Sequence, residues 1–452
     1  MILTFFLIVI IIVIACFVSE SLSVFAFSVI IYMLGLLMCS TIERKDRFNG
    51  YKVLNIVFSV ITLFAVFHYL DAYVDWQNFA QEGNDEYKFW MLSEKYAHFP
   101  SIKQVCIDSF TTYYTLRDTR GYVCFIGIIA NLAERYFDGN NILLQLMGSV
   151  LFGAFISVIL YRIFLLYFNS QKSFKYALLY SLCSAVAYYS FKYYRDIHIA
   201  FFYILSIYVV LNKMSIKGIV ILLCNIIIVW QLRREHGVFL IVFLTYYIFN
   251  SIKKNPLVTI LFFVILAIVF FVYFANVFDS IKESMEGYEV RSYLADGLKE
   301  NSFGAVIYRF PSPVKEVFLV INSQIQPFPS WHLLEDSKNI YSAIVSLIEI
   351  VRGVFWFVIV CSIFVWLFAY KAMKKVPLNF KYLMFIVLVF LFANTSNMTE
   401  RRLICVYPII FLLYVWLKEK VIHYKAYFTT KKNVVYLYIS LCLIYVVAKA
   451  FT

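Results

Sequence analysis

The chain has 452 residues, 63% of them hydrophobic and 15% charged, with a mean hydropathy of +0.79 and a formal net charge of +13. A soluble surface of this size needs far more charge, so a soluble globular protein is excluded and the sequence reads as one polytopic membrane domain over 1–452. The positive balance does not point to nucleic acid, because about half of the basic residues fall in short loops between apolar runs, where topology and anionic lipid account for them.

The apolar runs cover roughly 2–18, 22–40, 53–70, 141–161, 176–191, 197–212, 218–232, 237–250, 257–276, 353–370, 382–394, 403–417 and 433–449. Most are about 15–20 residues long, the length that spans a bilayer as a helix. An all-α fold with about thirteen transmembrane helices follows. The first run has no basic leader and no small-residue cleavage site, and it reads as a retained helix.

Six basic clusters separate the runs: Arg44 to Lys52; Arg162, Lys172 and Lys175; Lys213 and Lys217; Lys253 and Lys254; Lys371 to Lys381; and Lys418 to Lys432. Lys and Arg resist translocation, so these loops are expected on the cytoplasmic side together with the N-terminus. Two long loops, about 71–140 and 277–352, then lie outside. The first is acidic, with Asp71, Asp75, Glu82, Asp85, Glu86, Glu94, Asp108 and Asp118. The second holds Pro311-Ser312-Pro313 and the run from Gln326 to Trp331, where proline forbids a regular helix.

Gly121–Phe137 is apolar enough to cross, but a crossing there would turn every later basic loop outward. It also carries Asn131, Glu134 and Arg135, so it reads as an interfacial or re-entrant helix. Ile340–Arg352 reads as a second segment along the interface. Nine cysteines are scattered without metal-ligand spacing, so neither a disulfide framework nor a metal site is expected. No internal repeat and no nucleotide loop of the GxxxxGKS type occurs.

On the side opposite the basic loops, three turns carry charge against the membrane: Arg195-Asp196, Arg233-Arg234-Glu235-His236 and Glu400-Arg401-Arg402. Charge at such a depth needs a partner, a wet cavity or a function. Taken singly, each turn also fits a polar bend with snorkelling arginines. Taken together, five guanidiniums form an anion site if the turns converge, and the planar fork of arginine suits phosphate oxygens. Carboxylates in the first outer loop, Asp85 and Glu86, and the imidazole of His236 are candidate general bases, with Glu235 beside it. Equally, Asp85 and Glu86 fit a solvated loop face, and His236 a hydrogen-bonded interfacial histidine. His68, His98, His198, His332 and His423 are scattered and receive no role.

In order along the chain, Asn84-Asp85-Glu86-Tyr87, Asp118-Thr119-Arg120-Gly121-Tyr122, Arg195-Asp196, His236-Gly237 and Glu400-Arg401-Arg402 resemble the spaced elements of bacterial polysaccharide polymerases of the Wzy class, in particular the EpsG-like branch. Asp196 stands where that pattern usually has Gln. The resemblance implies a metal-independent glycosyltransferase without cofactor in the bacterial inner membrane, with its active site facing the periplasm. It would join oligosaccharide repeat units of O-antigen or capsule carried on undecaprenyl diphosphate, alongside membrane lipids and a chain-length regulator. Arg195, Arg233, Arg234, Arg401 and Arg402 would then hold the diphosphate, and His236, Glu235 or Asp85 would take the acceptor proton. Asp196, Glu86, Asp118, Arg120, Glu400 and Trp331 would complete the substrate site. The acidic first loop also resembles that of C-type glycosyltransferases, which use a polyprenyl-monophosphate sugar; these place it after one span, whereas three precede it here. A transporter or flippase of an anionic or lipid-linked substrate is a third reading, set back by the absence of repeats and of spans interrupted by Gly or Pro.

Overall fold

The computed structural model describes residues 2–81, 84–111, 119–252, 310–311, 313–325, 334, 337–393 and 400–450. Among these residues the regular structure is helical throughout. In chain order come α1 (Ile2–Ser19), α2 (Leu22–Ser40), α3 (Arg44–Val74), α4 (Trp76–Phe79), α5 (Asp85–Ala97), α6 (Ile102–Thr111), α7 (Arg120–Tyr136), α8 (Ile142–Leu165), α9 (Ser170–Cys183), α10 (Ala185–Tyr189), α11 (Asp196–Leu211), α12 (Ile216–Leu232) and α13 (Arg234–Ile252). After the segment outside the described residues follow α14 (Val314–Ile325), α15 (Ile340–Phe368), α16 (Leu378–Ala393), α17 (Glu400–Leu403), α18 (Tyr407–Lys420) and α19 (Tyr424–Ala450).

Among the described residues five helices, α2, α3, α8, α15 and α19, are long and apolar enough to cross a membrane, and α1, α11, α12 and α16 are shorter apolar helices. The chain is a helical membrane protein by that measure. The expected run 257–276 lies outside the described residues.

Two expectations change. The run 176–191 is not one helix: it breaks at Ser184, whose backbone is extended and whose Oγ accepts the Val186 N–H to start α10. Serine does this because its hydroxyl offers the backbone a local partner in place of the helical ladder. Nor does Ile340–Arg352 form a separate interfacial segment. It is the first half of α15, opened by a capping box in which Asn339 and Ser342 exchange side-chain and backbone hydrogen bonds. At 29 residues α15 is about 44 Å long, more than the hydrocarbon thickness.

Helix α8 forms the centre and is buried along nearly its whole length, packed on α3, α9, α11 and α2. Small residues on α8 permit the close approach. A Cβ on Gly153 would lie 2.2 Å from Ser190 Oγ, so the turn after α10 seats directly on this helix. The outward faces of α1, α2 and α19 are apolar and exposed, with Phe5, Phe17, Leu37, Tyr436 and Leu443 among them. Such faces belong against lipid.

The polar contacts sort into two ends. At one, Arg162 Nη1 donates to Thr41 Oγ1 (3.1 Å), Tyr161 Oη donates to the Asp46 carbonyl (2.9 Å), Lys172 and Tyr176 hold Glu419, and Lys420 lies over Phe168. This basic-loop end gathers three of the six sequence clusters. At the opposite end, Asp138 accepts from Leu22 N (2.6 Å) and Ser23 N (2.9 Å), capping α2. There too, Asn339 reaches Asp71 (3.0 Å) and Lys338 reaches Asp75 (3.3 Å). Helix α7 packs on α5 and α6, and its N-terminus abuts the C-terminus of α12.

Candidate functional site

Helix starts build the site at the opposite end. Helix α5 begins at Asp85 because Asn84 Oδ1 accepts the Glu86 N–H (3.0 Å), which places both carboxyls in the first helical turn. Helix α11 begins at Asp196, and α13 at Arg234. The bend between α12 and α13 is tight: a Cβ on Gly237 would lie 3.0 Å from Trp230 Cα. Gly121 permits another close approach, since its Cβ would lie 2.9 Å from Gln231 Cβ, bringing Arg120 beside the end of α12.

The arginine turns converge. Arg233 Nη1 donates to Asp196 Oδ1 at 3.0 Å, with both side chains almost wholly buried. The Asp196 carboxylate is acted on electrostatically by Arg233, Arg401, Arg195 and Arg402, in falling order. These four guanidiniums come from three separate turns. Arg195 also donates to the Leu232 carbonyl (3.4 Å), tying the second turn to the first. Arg401 Nη1 donates to Asp85 Oδ2 at 2.6 Å and lies 5.3 Å over the Tyr194 ring. Burial pushes Arg401 down, and the carboxylates of Asp196 and Asp85 outweigh it, leaving the guanidinium above its ordinary range. Burial and the neighbouring charge of Arg233 push Arg195 the other way, to about 9. Crowded cations of this kind are held in place by the fold and favour an anion beside them. Arg120 adds a buried Nε that has no hydrogen-bond partner.

The candidate bases occupy different surroundings. Asp85 is the open one, its side chain 39% exposed beside the 28% exposed Arg401. His236 is buried beneath the arginines. Its Nδ1 faces Cys405 Sγ at 3.7 Å, its ring packs on Phe390 and Tyr203, and its carbonyl accepts from Tyr203 Oη. Glu235 is half-buried, with Oε2 unpartnered. Arg234 starts α13 in the same turn. Asp118 and Trp331 lie outside the described residues, and of Glu400 only its place at the start of α17 is described.

Glu86 is not free for chemistry. Its Oε1 accepts from His68 Nε2 (3.0 Å) and from the Tyr193 backbone N–H (2.8 Å), and Lys192 Nζ lies 3.7 Å from Oε2. Lys192 also donates to His68 Nδ1 at 3.3 Å, which assigns the proton of a neutral imidazole to Nε2. Burial alone would raise the Glu86 pKa; Lys192, His68 and Tyr193 overcome that and hold it at about 2. His68, given no role on sequence grounds, is thus the middle of a buried acid–imidazole–ammonium chain joining α3, α5 and the turn before α11. Tyr188 carries the chain further, with Lys192 5.4 Å and Arg352 4.4 Å from its ring centre. Arg352, from the middle of α15, pairs with Glu349 at 2.6 Å. Neither Lys192 nor Arg352 belongs to a local motif; the signal available was a cation within or against an apolar run.

No family model, curated protein or solved structure matches this chain. Among the described residues no group of His, Cys, Asp and Glu is arranged to hold a metal. The arrangement therefore speaks through its own chemistry. It is a cationic, aromatic-walled cluster at one end of a membrane bundle, with one exposed carboxylate at its edge.

Proposed function

We propose that the chain is an inner-membrane glycosyltransferase that polymerises oligosaccharide repeat units carried on undecaprenyl diphosphate. The observation that carries the reading is that Arg195, Arg233, Arg401 and Arg402, from three turns, act on the single carboxylate Asp196. Arg233 pairs with Asp196 and Arg401 with Asp85, and a diphosphate offers several oxygens to a group of four guanidiniums gathered in this way. The positive-inside rule puts the basic-loop end in the cytoplasm and the arginine end in the periplasm. About thirteen crossings and an extracytoplasmic first loop fit that orientation.

On this reading the arginines hold the diphosphate of the donor and stabilise the charge that grows on it as it leaves. The acceptor sugar hydroxyl attacks the anomeric carbon, the bond from that carbon to the diphosphate oxygen breaks, and undecaprenyl diphosphate departs. The hydroxyl proton passes to a base. Asp85, at the exposed edge beside Arg401, is better placed for it than the buried His236. The ring of Tyr194, beside Tyr189, offers a face to the sugar or lipid.

Asp85 also favours a second reading, a C-type transferase that moves one sugar from a polyprenyl monophosphate. Purified protein separates the two. Supplied with repeat units on polyprenyl diphosphate, the polymerase gives a ladder of products, and Arg401→Ala abolishes it at unchanged membrane abundance. A single added sugar from a monophosphate donor, with no ladder from diphosphate substrates, would replace the first reading by the second. A full ladder from Arg401→Ala would remove the diphosphate clamp.

A further inference from the structure

Helices α6 and α7 lie side by side at the arginine end, and two cysteines meet across them. Cys106 Sγ and Cys124 Sγ are 3.4 Å apart, in van der Waals contact. Of the nine cysteines, this is the pair whose sulfurs touch among the described residues. The contact is set by packing on both sides. A Cβ on Gly127, one turn after Cys124, would lie 2.8 Å from Val105 Cγ1 and 3.1 Å from Tyr96, so α7 presses on α6 next to Cys106 and on α5. Cys124 is buried and Cys106 half-buried. Asn131 reinforces the register by donating to the carbonyls of Ala97 (3.1 Å) and Phe99 (2.7 Å). Two sulfurs already in contact have to close from 3.4 Å to the bond length of about 2.05 Å to join.

We propose that Cys106 and Cys124 form a disulfide in the cell, installed after the loop reaches the extracytoplasmic side. The inference rests on the orientation given above, because disulfides persist in oxidising compartments and not in the cytosol. The two thiols give up two electrons and two protons, and an S–S bond joins the cysteines. The electrons and protons reduce the disulfide of an extracytoplasmic thiol oxidase, of the dithiol–disulfide exchange class, to two thiols. The bond ties α6 to α7, whose first turn carries Arg120 and Gly121. It fixes the N-terminus of α7 against the end of α12, where the arginine turn begins. All nine cysteines are free thiols in this structure, and a bond at this one pair departs from the sequence-based expectation of no disulfide framework.

The test uses the full chain in its own membranes. Free thiols are blocked with N-ethylmaleimide in denaturant, disulfides are then reduced, and the newly exposed thiols take a polyethylene-glycol maleimide that slows the band. The expected result is two tags on the wild-type chain, and none on Cys106→Ser or Cys124→Ser. The wild-type result stands without the variants: no tag after reduction overturns the proposal. A parallel label reads the orientation, with Tyr136→Cys at the exposed end of α7 treated with a membrane-impermeant maleimide. Labelling from outside with no reducible pair removes the disulfide alone. Labelling only from the cytoplasmic side removes the disulfide and the orientation together.

Discussion

Glu86 is the residue on which the arginine end is hung. It meets α3 through His68 and the turn before α11 through Lys192 and Tyr193, and it sits in the same helical turn as Asp85. Removing one member of a buried charged network strands the others, at a cost of about 3–5 kcal/mol. Glu86→Ala should therefore lower the thermal unfolding midpoint of the detergent-solubilised protein sharply. Glu86→Gln, which keeps a carbonyl for His68 and Tyr193, should lower it less; equal midpoints for wild type and Glu86→Ala would contradict the network. The same group makes a pH prediction. Its folded pKa, about 2, lies below the ordinary 4.5 of the carboxyl, so its stabilisation is complete above pH 4.5 and is lost as pH falls towards 2. Unfolding followed across that window should show the loss in wild type and not in Glu86→Gln. Arginines next to acids were visible in the chain as written, whereas His68 and Lys192 were not. They are 124 residues apart, and a single histidine or lysine leaves no periodic or spaced trace.

At the level of helices, apolar runs gave the elements because burial in lipid or in the bundle demands long unbroken stretches. They did not give the interruptions. The α9–α10 break depends on one serine hydroxyl capturing a backbone N–H, a choice that hydrophobicity does not record. Conversely, the polar residues of Ile340–Arg352 suggested a separate segment, but Arg352 is accommodated inside one long helix by Glu349 and two tyrosine rings. The seat of the α10–α11 turn on α8 depends on Gly153. An added methyl would meet Ser190 Oγ at 2.2 Å and Ser190 Cβ at 2.5 Å, and such overpacking costs about 1–3 kcal/mol. Gly153→Ala should destabilise the protein by that order in a thermal melt, and Ser190→Gly in the same chain should restore most of the loss. An unchanged melt for Gly153→Ala would show that the turn does not rest there.

Across the whole molecule, the two ends differ in how charge is used. The basic-loop end spreads lysines over an exposed rim and pairs several with Glu419, Glu43 or aromatic rings. The arginine end concentrates guanidiniums in buried or half-buried positions around Asp196. The rim was legible in the sequence because positive loops alternate with apolar runs. That the arginine turns share one carboxylate was not, since it depends on how α11, α13 and α17 dock. The central claim is that this concentration is a binding site for a polyprenyl diphosphate. Its most direct test is equilibrium binding of labelled undecaprenyl diphosphate to the purified protein, wild type against Arg401→Ala. The account predicts saturable binding, displaced by unlabelled polyprenyl diphosphate and weakened at least about tenfold in the variant, the loss expected from one charge-assisted contact worth about 1.4 kcal/mol or more. Equal affinity in the two proteins, or binding that does not saturate, would contradict it.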